Sequence, residues 1–236
     1  MKAVIVAAGK STRLYPLTLE TPKSLLEIGG RSIIGRSVDM MNANGINDVL
    51  VVVGFHQEKI RRALDGRATF VLNPFYSQTN DMVSLWLAMP HLRGEEFIYL
   101  HGDIVYHEEL LSQLATENTG DGILLLVDFE SVDKEAMKVR AANGRFVESS
   151  KAIPLDEAAG EWTGLARITP TASAALYSSI EKILGEERFQ DYDTAAFNRL
   201  AQQGVAIGLI PTDGLPWCEI DTQADYSRAQ SLFGWS

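Results

Sequence analysis

The chain has 236 residues, 46% of them hydrophobic and 22% charged, and its 21 lysines and arginines against 31 aspartates and glutamates give a formal charge of −10. This balance suits a folded α/β protein with a sizeable core and excludes disordered, collagen-like and disulfide-rich classes; the single cysteine, Cys218, excludes an internal disulfide and a multi-cysteine zinc site. An acidic chain lacks the basic face that a nucleic-acid backbone requires, although a nucleotide's few charges can be met by two or three local cations and a metal. No apolar run approaches the ~18 residues of a membrane span. The opening apolar stretch is shorter than a signal-peptide core of roughly 7–15 residues, so a cytoplasmic protein without membrane contact is expected.

Apolar runs alternate with helix-period segments from the first residues onward. Residues 3–8 (AVIVAA) end on Gly9 and read as a strand buried on both faces of a parallel sheet. Ile34, Val38 and Met41 recur at helical spacing before a turn at Asn44-Gly45. Strands are predicted over 48–53, 69–72 and 97–100, with helices over 57–64 and 81–92, the latter shortened by Pro90. The centre is less regular: a loop over 117–122, a strand over 122–128, a hairpin from 137–140 and 144–148, and a strand over 163–168. Helices over 171–184 and 194–202 precede strands over 205–210 and 218–220, and a last helix runs from the N-cap Thr222 to about Leu232. Trp235 reads as a core residue. Strand–helix units of this size imply right-handed crossovers. The expectation is a Rossmann-like three-layer α/β/α domain spanning residues 1–236, with a mostly parallel, mixed central sheet.

Chemistry concentrates first in Ala7-Ala8-Gly9-Lys10-Ser11-Thr12-Arg13-Leu14, followed by Pro22-Lys23-Ser24-Leu25. A strand delivering small residues into a glycine loop lets backbone N–H groups approach a bulky anion. Thr12, Arg13 and Lys23 can then oppose a triphosphate. The spacing is neither that of a Walker A loop nor that of a dinucleotide fingerprint. Asp103 follows the strand over 97–100, at the carboxyl end where open α/β sheets bind ligands, and Asp221 lies between a short strand and a helix start. Two such hard carboxylates from distant segments can share one Mg2+ that bridges phosphates. The competing readings are ordinary ones: a glycine turn, solvated cations and helix-capping aspartates.

The run Ala8-Gly9-x-x-Thr12-Arg13-Leu14 with Pro22-Lys23 resembles the signature of the sugar-1-phosphate nucleotidyltransferases and their alcohol-phosphate relatives. The resemblance extends through Leu72-Asn73-Pro74-Phe75-Tyr76, Thr79-Asn80, Ser84-Leu85, Gly102-Asp103 and Met137-Lys138-Val139. It continues through Gly160-Glu161-Trp162-Thr163-Gly164 and Trp217-x-Glu219-Ile220-Asp221-Thr222. These later strings are similar to the phosphocholine and 2-aminoethylphosphonate cytidylyltransferases. The resemblance implies Mg2+ on Asp103 and Asp221, with Lys23 and Arg13 on the triphosphate and leaving pyrophosphate. It implies a base over Val6, Ala8 and Gly9 and against Thr79, Asn80 and Ser84, although Asn80 also reads as a helix cap. CTP as donor follows from the subgroup alone.

For the acceptor, Lys138 is the first candidate to hold a phosphoryl group and Lys151 the second. Trp162, Tyr192 and Trp217 fall near Glu161, Asp191, Asp193 and Glu219, and aromatic faces beside carboxylates suit an alkylammonium. The implied reaction transfers CMP from CTP to a small amine-bearing phosphate or phosphonate, releasing pyrophosphate. Alternatives are a sugar-1-phosphate enzyme using UTP, dTTP or GTP, a cytidylyltransferase for another phosphorylated acceptor, and a nucleotide-binding module without turnover. A homodimer is left open.

Overall fold

The computed structural model describes residues 1–234 apart from Thr119 and Asp121. Trp235 lies outside the described residues, as does part of the loop expected over 117–122. In chain order the strands are β1 (Lys2–Ala7), β2 (Glu27–Ile28), β3 (Arg31–Ser32), β4 (Val49–Val53), β5 (Thr69–Leu72), β6 (Phe97–His101) and β7 (Ile104–Tyr106). They continue with β8 (Ile123–Asp128), β9 (Lys138–Ala142), β10 (Arg145–Ser150), β11 (Gly160–Ile168), β12 (Ile207–Pro211) and β13 (Trp217–Glu219). The helices are α1 (Ile33–Ala43), α2 (Gln57–Ala63), α3 (Asp81–Leu87), α4 (Met89–Leu92), α5 (Glu108–Thr116), α6 (Pro170–Gly185), α7 (Thr194–Gln202) and α8 (Gln223–Phe233).

Nine strands, among the described residues, form the central sheet in the order β5-β4-β1-β6-β11-β8-β12-β10-β9. β5, β4, β1 and β6 are parallel, as are β8 and β12, whereas β11 and β10 run against their neighbours. The expected mixed, mostly parallel sheet is therefore present. Alternation along β1 explains the layers: Ala3 and Ile5 join α1 and α5 residues on one face, and Val4 joins α3, α6 and α7 residues on the other. Helix starts follow local chemistry. Ser32 caps α1, Thr169 caps α6 ahead of Pro170, and Thr222 with Asp225 forms a reciprocal capping box on α8.

Several elements escape the pattern reading. Pro90 does more than shorten a helix: the segment breaks at Ala88 and restarts as the one-turn α4. α5 was not anticipated, although Leu110, Leu111 and Leu114 pack inward at helical spacing. The two-residue hairpin β2–β3 and the short β7 carry too few residues for a period to show.

β7 matters most for the site. It pairs antiparallel with β13, setting Cys218 opposite Val105 and Glu219 opposite Ile104, and the Ile220 N–H donates to the Asp103 carbonyl at 3.1 Å. A third apolar cluster beneath this ladder joins Leu14, Leu26, Ile28, Val105, Cys218, Ile220 and Phe233. It ties the loop after β1, the Lys23 segment, β13 and α8 to one small core.

Candidate active site

At the carboxyl ends of β1 and β6 the chain leaves a cavity of about 330 Å³. Its floor is made by Val6, Ala8 and Gly9, and one wall by Tyr76, Thr79, Asn80 and Ser84. Gly102 allows the floor to close: a Cβ there would stand 2.7 Å from the Val6 carbonyl oxygen and 2.8 Å from the Ala7 Cβ. At Gly9 an added Cβ would meet nothing within 4 Å among the described residues, which leaves the turn open to the cavity. Thr12 is exposed on the turn beyond the floor.

Lys23, Arg13, Asp103 and Asp221 come together at one end of this cavity. The Lys23 Nζ lies 2.7 Å from Asp103 Oδ2 and 2.8 Å from Asp221 Oδ1, and Arg13 Nη2 lies 2.7 Å from Asp221 Oδ2. Burial alone would lower the Lys23 ammonium, whose side chain is only 10% exposed; the two carboxylates outweigh that and hold its pKa well above the usual lysine range. Burial likewise raises the Asp103 carboxyl, but Lys23 and His101 bring it below its ordinary value. Loss of hydration, then Asp103 and Asp221, push Glu219 up to about 7.

A divalent metal fits these residues. One carboxylate oxygen from each of Asp103, Glu219 and Asp221 lies within 4.8 Å of the others, an all-oxygen set suited to a hard cation. Among the described residues Asp103 Oδ1 is in addition buried without a hydrogen-bond partner, the kind of orphaned acceptor that a native fold seldom tolerates.

The far end of the cavity holds a second charged cluster that sequence reasoning missed, apart from Asp193. Asp193 is 1% exposed and caps α7; it accepts a hydrogen bond from Tyr99 Oη at 2.5 Å, and His101 Nε2 lies 2.9 Å from the same oxygen. Asp81 Oδ1 accepts from the N–H groups of Met82 at 2.8 Å and Asp193 at 3.0 Å, while its Oδ2 stands 3.8 Å from His101. Burial would lower the His101 imidazole, yet Asp193, with Asp81 and Asp103, raises it to about 10. Burial and Asp193 raise Asp81 to about 7 against the opposing pull of His101. Asp81 and His101 face the cavity; Asp193 stands behind them. A signal existed, since Asp81 adjoins the Thr79-Asn80 string and His101 precedes Gly102-Asp103, but neither residue type is distinctive alone.

The expected acceptor residues separate. Lys138 is 2% exposed, and its ammonium donates to the carbonyls of Lys134 and Lys151, both at 2.8 Å, and of Ala136 at 3.4 Å. Its three donors are spent inside the fold, which corrects the expectation that it meets a phosphoryl group. Lys151 does line the cavity, with its Nζ 5.5 Å from the centre of the Tyr192 ring. Trp162 is 3% exposed and belongs to the core: its indole N–H donates to the Leu165 carbonyl at 2.9 Å, and it packs edge-on against Phe197. It borders the cavity but shows it little of its ring, so its part in meeting an acceptor is smaller than expected. Trp217 and Glu161 line a neighbouring acidic hollow instead, where the Trp217 indole N–H donates to Asp128 Oδ2 at 2.9 Å. Glu161, pushed up to about 8 by burial and by Asp133, Glu219 and Asp128, faces that hollow too. Glu219 borders both spaces.

Gly164 explains how β11 serves two roles. It has φ +81° inside a register shift between Trp162 and Ala166, and a Cβ there would stand 2.3 Å from Ile104 Cδ1 and 3.0 Å from His101 Nδ1. The bulge lets Thr163 and Gly164 meet the cavity beside a strand that is otherwise core.

Fold and site together are those of a nucleotidyltransferase. The chain belongs to the MobA-like NTP transferase domain family, whose model matches residues 3–192. It is 25% identical, over 95% of its length and 97% of the relative's, to the CTP:phosphoglutamine cytidylyltransferase of Campylobacter jejuni. It is 28% identical to the bifunctional IPC transferase and DIPP synthase of Aquifex aeolicus, over 97% of this chain but only 50% of that protein. Among solved structures, a putative glucose-1-phosphate thymidylyltransferase from Bacillus anthracis superposes with a TM-score of 0.85, covering 99% of this chain and 95% of its own at 20% identity, a likeness of fold. Among the described residues no helix is long and apolar enough to cross a membrane.

Proposed function

We propose that this protein transfers CMP from CTP to a small amine-bearing phosphate or phosphonate in a Mg2+-dependent reaction that releases pyrophosphate. The observation that carries the reading is the meeting of Lys23, Arg13, Asp103 and Asp221 at one end of a cavity floored by Gly9. A cytidylyltransferase relative matched along nearly its whole length supports the choice of CTP.

The acceptor's phosphoryl oxygen attacks the α-phosphorus of the nucleotide in line, forming the new P–O bond as the bond to pyrophosphate breaks. The nucleophile is already an anion near neutral pH, so no side chain needs to remove a proton. Catalysis then rests on positioning and charge. Asp103 and Asp221, with Glu219, would hold a divalent ion that supplies Lewis-acid stabilisation to phosphoryl oxygens when bound. The Gly9 backbone leaves room for the nucleotide, and Lys23 and Arg13 oppose the charge of the triphosphate. Thr79, Asn80 and Ser84 line the base side; Ser84 is oriented by the Asn73 amide, which donates to its hydroxyl at 2.9 Å.

On the acceptor side, Lys151 can meet an anionic group, while Tyr192 and Asp81 offer a ring and a carboxylate to an ammonium. This pair replaces the wider aromatic enclosure expected from sequence. Pyrophosphate release measured over CTP, UTP, dTTP and GTP, each with phosphocholine, 2-aminoethylphosphonate and hexose 1-phosphates, tests the reading. Turnover with CTP and an amine-bearing acceptor is expected. Turnover confined to hexose 1-phosphates would overturn it.

A further inference from the structure

The metal-ligand carboxylates already have a cation. Lys23 Nζ stands between Asp103 Oδ2 and Asp221 Oδ1 at 2.7 and 2.8 Å, and Arg13 engages the remaining Asp221 oxygen at 2.7 Å. Both Asp221 oxygens and one of the two on Asp103 are thus committed. A divalent ion binds carboxylate oxygens at about 2.0–2.1 Å for magnesium. An ion held between Asp103 Oδ2 and Asp221 Oδ1 would have to take the space that the ammonium occupies.

We propose that Lys23 is the resident counter-ion of this site, an internal placeholder that a divalent ion must expel and that, once expelled, becomes available to the triphosphate. Metal and polyphosphate then load as a unit. The free ion gains little by displacing an ammonium with nowhere else to go, and the free nucleotide finds its lysine engaged. Bound together, each supplies what the other removes: the ion takes the carboxylates and the phosphates take the lysine. Arg13 follows the same exchange with a smaller stake, since its side chain is 58% exposed and solvated before and after. The segment around Lys23 is suited to moving only its side chain. Its backbone is a single 3-10 turn pinned by the N–H groups of Leu25 and Leu26, which donate to Pro22 and Lys23 carbonyls, and by Leu26 in the third apolar cluster.

This inference rests on the reading of Asp103 and Asp221 as metal ligands and adds a linkage to it. The test titrates Mn2+ alone into the nucleotide-free protein and follows bound ion by electron paramagnetic resonance. Lys23→Met is expected to bind Mn2+ at least ten-fold more tightly than the wild-type protein, and Arg13→Gln to gain less. Adding Asp103→Asn to Lys23→Met should abolish the gain. Equal or weaker Mn2+ binding by Lys23→Met, with an unchanged circular dichroism spectrum, would overturn the proposal. Lys23→Gln, uncharged but able to hydrogen-bond the carboxylates, gives the same readout should the methionine variant fail to fold. No CTP or acceptor enters this titration. Failure of the placeholder idea therefore shows as unchanged metal affinity, and failure of the cytidylyl reading as absent turnover in the acceptor panel.

Discussion

The two ends of the cavity solve the same electrostatic problem in opposite ways. At one end, carboxylates on the turns after β6 and β13 meet cations carried on long side chains from a loop, Lys23 and Arg13. At the other, Asp193 meets His101 and Tyr99, ring side chains on alternate positions of a central strand, packed against Trp162. An imidazole ring wedged between aromatic neighbours cannot leave its carboxylate without unpacking the core. On the proposal above, the first cluster changes partners as the site loads, while the second holds a wall in place.

The largest effect expected from breaking this contrast is on turnover. Asp103→Asn keeps the shape of the exchangeable end and removes a charge, and should lower kcat by about 10²–10³ or more, while the thermal unfolding midpoint moves little. Near-normal activity would take Asp103 out of the catalytic set. Asp193→Ala attacks the fixed end and should act chiefly on stability. It strands His101 and Tyr99 without their acceptor and uncaps α7, a loss of about 3–5 kcal/mol in denaturant unfolding. A cost below about 1 kcal/mol, no more than a lost neutral hydrogen bond, would mean that the buried network does not hold the wall.

The smallest effect is also the most specific, a pH dependence at Asp81. Its carboxyl is raised from 3.8 to about 7, so the folded state keeps the proton after the unfolded chain has lost it. Stability from this group is therefore present below about pH 4 and lost as pH rises towards 7. Asp81→Asn retains an oxygen for the Met82 and Asp193 N–H groups and escapes that loss. It should match the wild type at acid pH and exceed it by about 1–3 kcal/mol above about pH 7.5. A difference that stays constant across pH would show that Asp81 is not a desolvated carboxylate.

Much of this architecture was legible in the chain. The apolar runs at β1, β4, β6 and β8 are long enough to show a strand buried on both faces, and Thr222 announces the last helix by chemistry that needs no tertiary partner. The exchangeable end was legible too, because Gly9, Lys23, Asp103 and Asp221 sit at element ends, where a motif string and its position in the fold coincide. Short elements such as β7 were not, although β7 is what draws Asp103 towards Asp221.

What the amino-acid order determined by itself was thus local: which segments are strands or helices, where they stop, and which charged residues stand at the stops. Side-chain direction was decided by the tertiary structure. Glu161 and Trp162 are neighbours on β11 and were expected in one pocket, but successive strand residues point to opposite faces, so one lines the acidic hollow and the other joins the core. Tyr192 and Asp193, outside any strand, part as well, one half-open beside the cavity and the other sealed as a helix cap. Lys138 is withdrawn from the cavity that Lys151 lines because a buried ammonium must find carbonyl oxygens, and the β9–β10 hairpin with the segments flanking it supplies them to Lys138. Composition can name the groups a site needs; only packing, through the cost of burying each one unsatisfied, chooses which of them face the ligand.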